Sequence, residues 1–177
     1  MRYNRLYKDN NFLTPTTYTQ TLSEYTETLR YEDIPADVVE RAKMIMLQTV
    51  GAALAAKGTP IAEKACRMSE EANGGEGGAT SVWGTGKKMA AVNAALALGT
   101  MSDALDWEDC SWTGHPAAGV IPCAWLAAEE KHKSGKDLIT AIVAGYEVYQ
   151  RVALAGRGSI ASYNIFGILP MIVGSLY

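Results

Sequence analysis

The densest chemistry in the chain lies in DWEDCSWTGHP, Asp106 to Pro116. This stretch holds the carboxylates of Asp106, Glu108 and Asp109, the thiol of Cys110, the hydroxyls of Ser111 and Thr113, and His115. An imidazole titrates near neutrality, so His115 is suited to give or take a proton. Carboxylates beside it can orient it and shift its pKa. His115 also directly precedes Pro116, a residue suited to the start of a helix. Free N–H groups and the positive end of the helix dipole favour an anion there. The combination reads as an acid–base site that meets an anionic ligand. The second histidine, His132 in EEKHK, reads as part of a solvated helix end.

Other chemistries fit less well. Asp103, Asp106, Glu108 and Asp109 offer the hard oxygen ligands that magnesium or calcium takes. The spacing of a calcium-binding loop is absent, with no glycine at the sixth position and no glutamate at the twelfth. Cys110 and His115 alone fall short of a zinc set. No metal is therefore expected. A cysteine nucleophile built on Cys110 and His115 has no further marker. The glycine stretches NGGEGG and GTGKK match no phosphate-binding pattern: Ser81 stands where the first glycine belongs, and Lys88 where a hydroxyl should hold magnesium. No nucleotide or organic cofactor is expected.

Helices must position this loop. Residues 17–30 carry Tyr18, Leu22, Tyr25 and Leu29 at helical spacing. Pro35 opens a second helix whose far half is apolar nearly all round, which predicts burial. Thr59-Pro60 reads as the cap and first turn of a third, ending at Gly74-Gly75. Residues 79–85 are the one expected strand, short and isolated. An apolar helix is expected over about 89–105, then the polar loop. The next helix should begin between Ala117 and Pro122 and reach about Lys131. Ser134 to Asp137 match a capping box ahead of the stripe Leu138, Ile139, Ile142, Val143, Tyr146, Tyr149 and Val152. A final helix is expected over 160–177. About seven helices and almost no strand define an all-α class, with an arm over 1–16 and one helical domain over 17–177.

The bulk numbers exclude several roles. The 177 residues are 48% hydrophobic and 20% charged, with net charge −3. No basic surplus is present for a phosphate backbone or an anionic bilayer, so neither nucleic acid nor membrane is an expected partner. No run approaches the roughly 20 apolar residues of a membrane span. Cys66, Cys110 and Cys123 are odd in number and widely spaced, as free thiols of a cytoplasmic protein would be. The closing FGILPMIVGSLY is apolar and needs covering, which predicts a chain that is part of a larger or two-chain assembly.

Four stretches together resemble the MmgE/PrpD family. They are TYTQTLSEYTETLRYEDIPADVVERAKMIMLQTVGAALAA, ATSVWGTGKKMAAVNAALALGTMSDALDWEDC, GHPAAGVIPCAWLAAEE and SGKDLITAIVAGYEV, in the family's order. The family includes 2-methylcitrate dehydratases, cis-aconitate decarboxylases and iminodisuccinate epimerases. The resemblance implies a helical, bundle-like large domain whose smaller α+β lid is absent from this chain. It implies a cofactor-independent lyase, dehydratase or decarboxylase, acting on a small di- or tricarboxylate. The alternatives are an epimerase of the same family and a non-catalytic ligand-binding or assembly subunit. Partners implied are the carboxylate substrate, a second copy in a homodimer, and a second chain carrying the lid.

By position, the resemblance makes Asp106 the opening aspartate of the family's L-D-[FW]-[DE]-D signature and His115 its catalytic histidine. Cys110 stands where a threonine is common and, with Ser111, would line the substrate pocket. Three departures stand out. Asp103 replaces a usual histidine, Gln48 replaces an aspartate of the second helix, and GRGSIASYNIFG lacks a second active-site histidine. Tyr163 or Arg157 of that stretch is the candidate to take its place.

Overall fold

A computed structural model describes residues 17–155, apart from residues 76, 112 and 113. Within them lie helices α1 (Tyr18–Thr28), α2 (Ala36–Ala56), α3 (Pro60–Ala72), α4 (Ala91–Asp103), α5 (Ala117–Glu130) and α6 (Gly135–Ala155). A single 3-10 turn, Tyr31–Asp33, joins α1 to α2. Two short strands, β1 (Thr80–Val82) and β2 (Lys87–Met89), make up the strand content of the described residues. The class is all-α.

Local chemistry sets the helix boundaries. Thr17 and Gln20 form a reciprocal capping box at the start of α1. The Thr59 hydroxyl accepts from Ala62 N–H, and Pro60 takes the first turn of α3. Ser134 and Asp137 close the expected capping box of α6, with Ser134 N–H donating to Asp137 Oδ2 at 2.9 Å. Those bonds hold the Asp137 carboxyl below its ordinary pKa.

The strand region differs from the expected isolated strand. β1 pairs antiparallel with β2, with Ser81 opposite Lys88. Gly84 (φ 70°) and Gly86 (φ 73°) take the left-handed backbone that the turn between them requires. The glycines of GTGKK thus serve a hairpin, and Met89 ends a strand where the apolar pattern suggested a helix start. A run of apolar residues fits either state until a partner strand appears.

α4 is the centre of the core. It packs against α2, α3 and α5, and its Ala94, Ala97 and Leu98 are fully buried. A side chain at Gly99 would come 3.4 Å from the Ala118 carbonyl, so small residues let α4 and α5 approach closely. Their seam leads directly into the polar loop between them. The hairpin is tied to α5 by an edge-to-face Trp83–Trp125 pair at 5.4 Å and by Glu129, whose carboxylate accepts from Ser81 N–H (2.9 Å) and Ser81 Oγ (2.6 Å).

No described helix is long and apolar enough to cross a membrane. The expected arm over 1–16 and the expected helix over 160–177 lie outside the described residues, as do Arg157 and Tyr163.

Candidate active site

The loop between α4 and α5 doubles back on itself. Asp106 N–H donates to the Asp103 carbonyl, and Asp106 takes a left-handed φ of 55°. Aspartate tolerates that conformation better than most side chains. This turn puts the following residues on a path back across the end of α4. Gln48 of α2 then holds the loop from the other side, donating through Nε2 to the Trp107 carbonyl at 2.7 Å. Further along, Ser111 and Gly114 exchange backbone hydrogen bonds of 2.8 and 3.0 Å. α5 begins directly after Pro116, which is its N-cap.

His115 lies where these constraints meet. Its Nδ1 is 2.7 Å from Glu108 Oε1 and 3.6 Å from Asp106 Oδ1. The two carboxylates occupy opposite environments. The Glu108 side chain is fully buried, whereas that of Asp106 is 83% exposed. The Asp103 carboxylate also faces Glu108. Burial, with Asp103 adding to it, pushes the Glu108 carboxyl above its usual range, opposed by its own backbone amide and by the charge of His115. Neither Glu108 oxygen has an aligned hydrogen-bond donor, so the close contact with Nδ1 is the nearest compensation the buried carboxyl has.

Asp109 points another way. Its Oδ1 accepts from Ala117 N–H at 3.1 Å, capping the start of α5. Pro116 makes no side-chain cap, so the cap comes from a carboxylate eight residues upstream. Burial raises the Asp109 carboxyl, opposed by Tyr146 of α6, by Ala117 N–H, by Arg41 of α2 and by His115. Tyr146 is itself driven far above the phenol range, first by burial and then by Asp109.

The residues singled out from the sequence therefore fall into two sets. The structure brings His115 and Asp106 near each other and leaves Cys110 exposed beside them, with Sγ 3.4 Å from the Ser111 carbonyl. Ser111 is spent on the backbone pair with Gly114. Glu108, which the sequence does not single out from its neighbouring acids, is the carboxylate nearest His115. The amide expected to serve an anion at the helix start, Ala117 N–H, is already bonded to Asp109. Tyr146 and Gln48 were legible only as members of helices. The one hint at Glu108 was its place two residues from Asp106, the spacing that returns to the same side of an extended chain.

Asp103, Glu108 and His115 place ligand atoms within 4.8 Å of one another, so this set is the one among the described residues with the chemistry to hold a divalent cation. With Nδ1 turned into the protein, Nε2 is the nitrogen left to exchange a proton with a ligand.

The all-α architecture agrees with what comparison shows. The model of the MmgE/PrpD N-terminal domain matches residues 20–169, and the chain belongs to this family. It is 31% identical over 150 residues to a cis-aconitate decarboxylase of Aspergillus terreus, covering 80% of this chain and 30% of that protein. It is 29% identical over 150 residues to a cis-aconitate decarboxylase-like protein of Aspergillus oryzae, covering 80% of this chain and 31% of the relative. The chain thus spans about a third of the length of these curated relatives.

Proposed function

We propose that the chain forms part of a cofactor-independent lyase acting on a small di- or tricarboxylate, with cis-aconitate the first candidate. The observation that carries this reading is the contact of His115 Nδ1 with the buried Glu108 carboxyl, which leaves Nε2 for chemistry. In a decarboxylation, the electron pair of the broken C–C bond stays on carbon, and an imidazolium next to it supplies the proton. In a dehydration, the neutral imidazole takes a proton from the carbon beside a carboxylate, and the hydroxyl group leaves. His115 is suited to either role. Asp106, exposed and 3.6 Å away, stabilises the charged ring. Cys110 and Ser111 line the approach.

A second reading, a ligand-binding or assembly subunit, draws on the charge balance. Asp103, Asp106, Glu108 and Asp109 crowd around one histidine, and a polycarboxylate needs cationic or N–H groups aimed at it. Turnover therefore calls for cationic groups contributed by further protein, such as a second chain carrying the lid or a second copy in a homodimer.

The test is an assay of the purified full chain, with any chain that co-purifies, on cis-aconitate, 2-methylcitrate and iminodisuccinate. His115→Ala is assayed beside it. Release of carbon dioxide from cis-aconitate, lost in the variant, supports the lyase reading. Full activity in the variant removes His115 from the mechanism. A carboxylate that raises the melting temperature and is never converted favours the second reading.

A further inference from the structure

We propose that Asp109 is the positioning residue for His115. Its carboxylate, bonded to the amide two residues beyond the imidazole, fixes where the ring stands relative to Glu108. The inference rests on the reading of His115 as the working group, but its geometry does not depend on which carboxylate is the substrate.

α5 lacks a side-chain cap of its own. Its N-cap is Pro116, which has no side-chain acceptor for the free amides of the first turn. A serine or threonine at the cap would satisfy them locally. The chain instead brings in Asp109, which accepts from Ala117 N–H at 3.1 Å. Burying a carboxylate is unfavourable, and burial is the dominant influence on this one. The fold therefore accepts a cost at Asp109 that a local cap would avoid. What it gains is a cross-link: one carboxylate joins the loop to the first turn of α5 through Ala117 N–H. Arg41 of α2 adds a favourable charge to the same group.

Glu108 and His115 lie on the two arms of the loop that this cross-link closes. Glu108 directly precedes Asp109, and His115 is two residues before Ala117. Tying Asp109 to Ala117 thus sets the separation of Glu108 from the ring, seen as the 2.7 Å contact at Nδ1. Asp109 itself need not touch a substrate to do this.

The chain has two histidines, which supplies an internal reference. His132 is exposed, while His115 is half-buried. Carbethoxylation of the full chain, followed by mass spectrometry, gives the ratio of the His115 rate to the His132 rate. Asp109→Ala should raise this ratio about tenfold, the effect of losing one charged hydrogen bond. Asp109→Asn keeps an oxygen for Ala117 N–H and should stay within about twofold of the unaltered chain. Each variant is labelled at a temperature where circular dichroism shows it folded. Leu98→Ala, destabilised in the core away from the loop, should leave the ratio unchanged. The imidazole 15N spectrum of His115 should change in Asp109→Ala and return in Asp109→Asn.

An unchanged ratio in Asp109→Ala overturns the proposal. An equal rise in Asp109→Asn or in Leu98→Ala does so as well, since the effect would then come from charge or from general loosening. If Asp109→Ala does not fold, Asp109→Leu, which keeps the bulk and has no acceptor for Ala117 N–H, decides: a ratio equal to that of the unaltered chain overturns it. Labelling needs no turnover, so failure here is separate from failure of the lyase reading.

Discussion

Glu108, fully buried, sits 2.7 Å from His115 Nδ1, while the exposed Asp106 stands off at 3.6 Å. The division matters because a buried acid fixes one ring nitrogen and an exposed acid acts mainly through charge, which solvent weakens.

On the lyase reading proposed above, Glu108→Gln should lower kcat about 100-fold in the active assembly, with KM little changed. Glu108 lies behind the ring, out of a ligand's reach, so its loss should act on proton transfer and leave binding intact. Steady-state kinetics on the active assembly check this. A rise in KM at constant kcat would place Glu108 in the binding surface instead.

The same residue should leave a mark on the pH dependence of stability. Its folded pKa is raised, chiefly by burial. Its contribution is therefore fully present below the ordinary glutamate pKa and is lost as pH rises through the raised value. Glu108→Gln removes this loss. The variant's melting temperature should fall less than that of the unaltered chain between mildly acidic and neutral pH. Parallel curves would contradict the prediction.

Glu129 gives the opposite sign. Burial raises its pKa, but the two hydrogen bonds from Ser81 outweigh that and hold it low. The contribution is present above the ordinary pKa and disappears as pH falls through the lowered one. Ser81→Ala should cost about 1–2 kcal/mol at neutral pH. In acid that difference should shrink. Urea unfolding at the two pH values measures it.

Leu98→Ala should destabilise the fold by about 3 kcal/mol, because Leu98 is fully buried at the centre of the α4 packing and its removal leaves a cavity. Denaturant unfolding gives the number. A cost below about 1 kcal/mol would mean that α4 is not the centre of the core.

Much of this protein was legible from local pattern. Apolar residues at helical spacing gave the helices, Thr59-Pro60 and Ser134–Asp137 gave their starts, and the crowded loop before Pro116 gave the candidate site. Each of these signals depends on residues within one or two turns of each other, so the sequence by itself determines them. The hairpin was half legible: Thr80–Val82 has strand character, but its pairing with Lys87–Met89 depends on the turn between them.

Only the tertiary structure decided which acid meets His115. Asp106, Glu108 and Asp109 are equivalent as a string of acids. The left-handed turn at Asp106, the Gln48 bond to Trp107 and the Asp109 bond to Ala117 send them to three different environments. Partners for these groups come from α2, α5 and α6, far away in sequence, and no periodicity carries that information. Burial then separates the acids further, since it raises Glu108 and Asp109 by desolvation while Asp106 remains in water.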